Sequence, residues 1–159
     1  MKMNDCKMDI MKIQLDSESA DLETETTGKY TYNIKLPVKR YNYNKIVLYV
    51  DDWDVQTKGL GNLSYVLNLT NISQSNSYNS RTKGNNNVIG CIFANASATD
   101  RTSDFALNYQ APRTKHIINT LPNTLDIQIT DIDNTGIDFS NAQNFWSLSL
   151  RLECEYDME

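Results

Sequence analysis

His116 is the only histidine in this 159-residue chain, and that alone removes much of the usual catalytic chemistry. A nucleophile–histidine–acid relay needs an imidazole beside a nucleophile and an orienting carboxylate. A cupin-like metal oxygenase needs several imidazole ligands. His116 has Lys115 and Ile117 as neighbours and reads as a strand-end residue with a structural or surface role. Asp51, Asp52 and Asp54 surround Trp53 and offer the hard oxygens that Ca²⁺ prefers. They lack the alternating loop and closing bidentate Glu of an EF-hand, and read as a solvated turn after a short apolar strand, Lys45 to Val50. Asp131, Asp133 and Asp138 read the same way. Gly59 and Gly61 are not followed by the Gly-Lys-Ser/Thr of a phosphate loop. Cys6, Cys91 and Cys154 are far apart, with no CxxC spacing, so neither a zinc ribbon nor a disulfide framework is expected. Cys91 and Cys154 fall in apolar strand patterns, where a free thiol acts as a small hydrophobe in a reducing compartment. The expectation is a chain that is not an enzyme, with no catalytic residue, no metal ligands and no cofactor.

Aromatic residues carry the remaining chemistry. Trp53, Trp146 and nine Tyr admit a carbohydrate-binding reading through exposed ring faces. Trp146 opens an apolar face, however, and is more simply a core residue, and Tyr30 and Tyr32, which share an apolar face, read as core or sheet-surface residues. Tyr41 and Tyr43, flanking Asn42, are better interface candidates, because Tyr brings contact area at low entropic cost.

A net charge of −5 argues against nucleic acid as the main partner, since neutralising phosphates needs a basic surface. No apolar run approaches the roughly 18 to 20 residues of a membrane-spanning helix. Met1 to Asp16 mixes Lys and Asp with its apolar residues, so no secretory signal is expected. The sequons at Asn62, Asn68, Asn71 and Asn95 are then expected to be unused.

The elements that must position these residues are strands. From Trp146 to Tyr156 every second residue is apolar: Trp146, Leu148, Leu150, Leu152, Cys154, Tyr156. Ser147, Ser149, Arg151, Glu153 and Glu155 lie between them. A strand turns alternate side chains to opposite faces, so this run has one buried face and one wet face. The same alternation marks Tyr30, Tyr32, Ile34 and Leu36, then Leu63 to Leu69, Phe105 to Tyr109, and Leu125 to Ile129. Val88 to Ala94 also has strand character, and Pro37 and Pro112 end runs. Ser73 to Asn87 is polar and reads as a mobile loop. Met8, Ile10, Ile13 and Leu15 form a first strand or an extended arm, and Asp16 to Gly28 reads as a polar linker. No amphipathic helix longer than a turn or two is expected. Eight or nine unevenly spaced strands with long loops fit an all-β antiparallel sandwich, a single jelly roll of about eight strands. The organisation is an N-terminal arm and linker over residues 1–28 and one jelly-roll domain over 29–159.

Three segments carry a family resemblance. They are His116–Ile117–Ile118–Asn119–Thr120–Leu121–Pro122, then Leu125 to Asp133 with its Thr130–Asp131–Ile132–Asp133 end, then Phe145 to Glu153. This part of the chain resembles the C-terminal portion of single jelly-roll capsid proteins of large eukaryotic double-stranded DNA viruses. The abundance of Asn, Ile, Lys and Tyr suits an AT-rich genome of that kind. The resemblance implies a penton or minor capsid protein, a homopentamer at icosahedral vertices that contacts the major capsid protein of the same virus. It implies a virion location after assembly in host cytoplasm. The length is too short for a two-jelly-roll major capsid protein. Interface candidates under this reading are Tyr41, Tyr43, Ile10, Ile13 and Leu15, with residues 1–16 as a removable arm that reaches a neighbour. The alternative is a β-sandwich binding module that recognises a carbohydrate or a receptor.

Overall fold

In the computed structural model, residues 6–36, 42–59, 64–72, 78–79, 84–85, 87–93 and 107–157 are described. They form two facing antiparallel sheets with no α-helix among the described residues. The strands are β1 (Cys6–Asp16), β2 (Leu22–Thr24), β3 (Lys29–Asn33), β4 (Lys45–Thr57), β5 (Ser64–Leu69), β6 (Tyr78–Asn79), β7 (Gly84–Asn85), β8 (Val88–Phe93), β9 (Leu107–Gln110), β10 (Thr114–Ile118), β11 (Thr124–Thr130) and β12 (Phe145–Asp157).

The first sheet runs β1-β12-β4-β10, with β9 sharing the place beside β4. β9 pairs with Asp54 to Thr57 and β10 with Ile46 to Val50, so the two are halves of one interrupted strand. Pro112 lies in the interruption, where its missing N–H costs no ladder bond. The second sheet runs β2-β3-β11-β5-β8. Along the chain, the path crosses between sheets from β1 to β2, β3 to β4, β4 to β5, β8 to β9, β10 to β11 and β11 to β12. β6 and β7 pair with each other outside both sheets.

The alternation of the last strand is realised from Trp146 to Cys154: Trp146, Leu148, Leu150, Leu152 and Cys154 all face the core, and Tyr156 is half-buried. Each fully buried Leu stabilises the fold by about 1.5–3 kcal/mol over its exposed state. Tyr30 and Tyr32 meet the Trp146 ring edge-on, at centroid distances of 5.0 and 6.1 Å. Burial pushes the Tyr30 hydroxyl up to about 12.

Strand β4 departs from the expected short strand ending at Val50. Its inward residues are Ile46, Leu48 and Val50, then Trp53, Val55 and Thr57. The phase shifts by one residue at Asp51, where the register against β12 jumps from Ser149–Asp52 to Leu150–Val50. A β-bulge absorbs the shift, placing an extra residue on one strand and keeping both halves in the sheet. The acidic cluster is therefore inside a strand of 13 residues and is not a turn.

The N-terminal arm and linker are corrected as well. β1 pairs with β12 over 11 positions and sends Met11, Ile13 and Leu15 into the core. Asp16 to Gly28 is pinned at both ends. The Tyr32 hydroxyl donates to the Asp16 carbonyl at 2.5 Å, and the Ser17 N–H donates to the Trp146 carbonyl. At the other end the Phe139 N–H donates to the Glu25 carbonyl and the Ile129 N–H to the Gly28 carbonyl. Gly28 adopts a left-handed φ of 62°, and a Cβ there would strike the Ile129 and Ile137 carbonyls. The sandwich thus begins by Cys6. The first strand cannot be removed without opening the core.

Candidate functional site

The proposed interface residues separate by strand parity. On β1, Ile10 is 56% exposed and Met8 45%, whereas Ile13 and Leu15 are each 8% exposed and belong to the core. Ile13 and Leu15 are therefore withdrawn as interface residues. Tyr43 is half-buried, donates its hydroxyl to Asp9 at 2.9 Å and packs edge-on against Tyr156. Tyr41, Pro37, Leu63, Phe105, and most of Ser73 to Asn87 lie outside the described residues.

The outer face of the first sheet is built in rows across four strands. One row is Ile10, Glu153, Val47 and Ile117, and the next is Lys12, Arg151, Tyr49 and Lys115. Arg151 is the hub of the second row. Its Nε donates to the Asp51 carboxylate at 2.9 Å and its Nη2 at 3.3 Å, and a third N–H meets Glu153. Its guanidinium lies 4.1 Å from the centre of the Tyr49 ring. The Arg151 hydrogen bond holds the Asp51 carboxyl below the usual carboxylate range. A planar fork suits this bidentate and stacked role better than a Lys ammonium. The bulge supplies the geometry, because it turns Asp51 outward toward the strand that carries Arg151. Asp52 accepts a bond from the Gln110 amide. Neither Arg151 nor its pairing with Asp51 was evident from the sequence, although the phase shift at Asp51 marks the place.

His116 has a defined job at the opposite side from β1. β8 carries its own bulge: Leu67 pairs with Gly90 and Asn68 with Val88, which leaves Ile89 unmatched. The Ile89 carbonyl accepts from Thr114 Oγ1 at 2.5 Å and from His116 Nε2 at 3.0 Å. Two side chains of the first sheet thus satisfy a bulged carbonyl of the second. Burial lowers the His116 pKa, partly offset by the carbonyl it faces. The aromatic platforms are spent on packing. Trp53 and Trp146 are fully buried, and Trp53 lies against Gly90, where a Cβ would come within 3.2 Å of the indole. Asn68 is buried, with its amide donating to the Val66 and Gln128 carbonyls and the Thr130 hydroxyl, so its sequon is used internally.

A shallow groove of about 340 Å³ lies on the outer face of the second sheet. Lys29, Thr31, Thr70, Asp126 and Gln128 line it, and Thr31 donates to the Asp126 carboxylate at 2.9 Å. Among the described residues no group of three or more His, Cys, Asp or Glu is arranged to hold a metal ion. No described helix is long and apolar enough to cross a membrane. The chain matches no protein-family model and no curated protein sequence.

Proposed function

We propose that this chain is a structural subunit of a viral shell, a penton or minor capsid protein that works by self-association beside a major capsid protein. The strand order carries the reading. With β9 and β10 taken as one strand and the three-residue edge strand β2 set aside, the sheets read first-eighth-third-sixth and second-seventh-fourth-fifth. That order supports a single jelly roll, two interleaved Greek keys, and agrees with the C-terminal resemblance. The polar groups most suited to chemistry support the same reading, since His116, Asp51 and Arg151 are engaged in holding strands together. A fold alone does not set a function, so assembly is the decisive observable. Native mass spectrometry and light scattering over a concentration series test it. The expected mass is five copies; a single copy at every concentration would remove the reading.

The groove beside Asp126 favours a second reading, a binding module, because its hydroxyls, amide, ammonium and carboxylate suit a polyhydroxylated ligand. The buried Trp53 and Trp146 count against it, as stacking faces are what sugar sites commonly add. Calorimetry with a glycan panel on a monomeric preparation separates the two readings.

A further inference from the structure

We infer that the acidic segment at residues 16–25 of one copy docks on the outer face of the first sheet of a second copy, seating Leu22 on the row of Ile10, Val47 and Ile117. The segment holds Asp16, Glu18, Asp21, Glu23 and Glu25, and no Lys or Arg falls between Lys12 and Lys29. Glu18, Asp21 and Glu23 are exposed, and Leu22, between the last two, is 71% exposed. β2 is the edge strand of its sheet, so a partner that meets this edge meets side chains from both faces of the strand.

The receiving face has the opposite sign. Ile10 and Lys12 project from β1, and Lys115 and Ile117 from β10, in the rows they share with β12 and β4. Ile10 and Ile117 are 56% and 58% exposed. Lys12, Arg113 and Lys115 are exposed and form no hydrogen bond or ion pair among the described residues. The acids near them are already engaged. Arg151 holds Asp51 and Glu153, Gln110 donates to Asp52, and Glu155 lies 3.9 Å from Lys45. Asp54 is two rows beyond Lys12 and Lys115. The unpaired charge beside Ile10 and Ile117 is therefore positive. Both surfaces are built alike, with large exposed apolar residues flanked by unpaired charges of one sign, and the signs are opposite. Within one chain none of these cations meets an acid of the segment, so the complement is a second copy. Complementary charge fixes partner and register, and two unlike patches make a heterologous contact that can close into a ring. Closure at five copies rests on the shell reading; the contact itself does not.

Charge reversal in the full chain tests the contact, with mass read by light scattering over a concentration series. Lys12→Glu with Lys115→Glu, and separately Glu18→Lys with Glu23→Lys, are each expected to abolish assembly. Thermal midpoints should stay unchanged, because all four residues are exposed. The fourfold variant reverses both patches together and is expected to recover the parent mass. Raising salt from about 0.1 M to about 1 M, which shortens the screening length from about 10 Å to about 3 Å, is expected to dissociate the parent. A five-copy mass that survives either pair of reversals overturns the contact and leaves the shell reading standing. Loss in both pairs with no recovery in the fourfold variant also overturns it, and so does loss only when the cations are reversed, which would assign the face to a different acidic partner. Dimers and open chains that obey the charge pattern, with no five-copy species, keep the contact and remove the shell reading. A parent that is a single copy at every concentration removes both.

Discussion

The two sides of the sandwich are finished in opposite ways. On one side, Thr114 and His116 of the first sheet reach the bulged Ile89 carbonyl of the second, so the layers are tied where they end. On the other, β1 ends the first sheet with a long regular strand whose outward residues include Met8 and Ile10. A bulge with its own hydrogen-bond partners blunts one edge, whereas β1 stays even and carries Lys7, Asp9, Lys12 and Asp16, with Asp9 accepting from the Tyr43 hydroxyl. The difference separates an edge blunted through its backbone from one guarded by charge. The largest expected effect tests whether β1 belongs to the fold at all. Met11→Ala should cost about 2–5 kcal/mol, because the side chain is buried, and Ile10→Ala no more than about 0.5 kcal/mol. Equal shifts in the urea midpoint would return β1 to the status of an arm.

The corner that carries the chain from β1's sheet into β3 ranks next. Gly136 packs against the Thr27 backbone so closely that a Cβ would be driven into the Thr27 carbonyl. Backbone must move to admit it, so Gly136→Ala should lose about 3 kcal/mol, the upper end of overpacking costs. Gly59 has open space for a Cβ and only an unfavourable φ of 73°, and its Ala variant should lose about 1 kcal/mol. Thermal unfolding of the two variants gives the ranking, and a reversed order would show that the corner is loosely seated.

On the tied side, Thr114→Val keeps the shape and removes one donor from a part-buried carbonyl. A loss of roughly 1–2 kcal/mol is expected, with His116 still bonded to the same oxygen. Hydrogen exchange should show faster opening of β8 amides than of β1 amides in this variant. The opposite pattern would mean that the tie does not hold the edge.

How much of this was legible in the sequence depends on phase. Where alternation is uninterrupted, as in Trp146 to Cys154 or Leu125 to Ile129, the strand and its buried face follow directly from the two-residue period. Where a bulge inserts one residue, the period breaks, and Asp51 to Asp54 looks like a turn although it lies inside β4. The polar run from Asp16 to Gly28 hides its anchors because they are mostly backbone bonds, to Trp146, Ile129 and Phe139, which leave no trace in side-chain pattern. Ile13 and Leu15 were legible as apolar but not as buried, since an arm and an edge strand share one composition. Cross-strand partners such as Arg151 and Asp51 need register, and register is a property of the sheet.

The smallest effect is a pH dependence confined to the tied side. Burial lowers the His116 pKa in the fold from an ordinary 6.5, so the folded state holds the ring neutral while the unfolded chain still binds a proton. Stability rises with pH wherever the unfolded state binds more protons. His116 therefore leaves stability intact above pH 6.5 and subtracts from it as pH falls from 6.5 through the lowered folded value. Asp51 acts in a lower window, because its depressed pKa matters only as pH falls below the ordinary carboxylate range near about 4. His116→Gln keeps a donor for the Ile89 carbonyl and cannot titrate. Between about pH 7 and pH 5, spanning the ordinary imidazole range, its urea midpoint should fall less steeply than the parent's. Parallel curves would mean that His116 reaches water in the fold, and that Thr114 alone satisfies the bulged carbonyl.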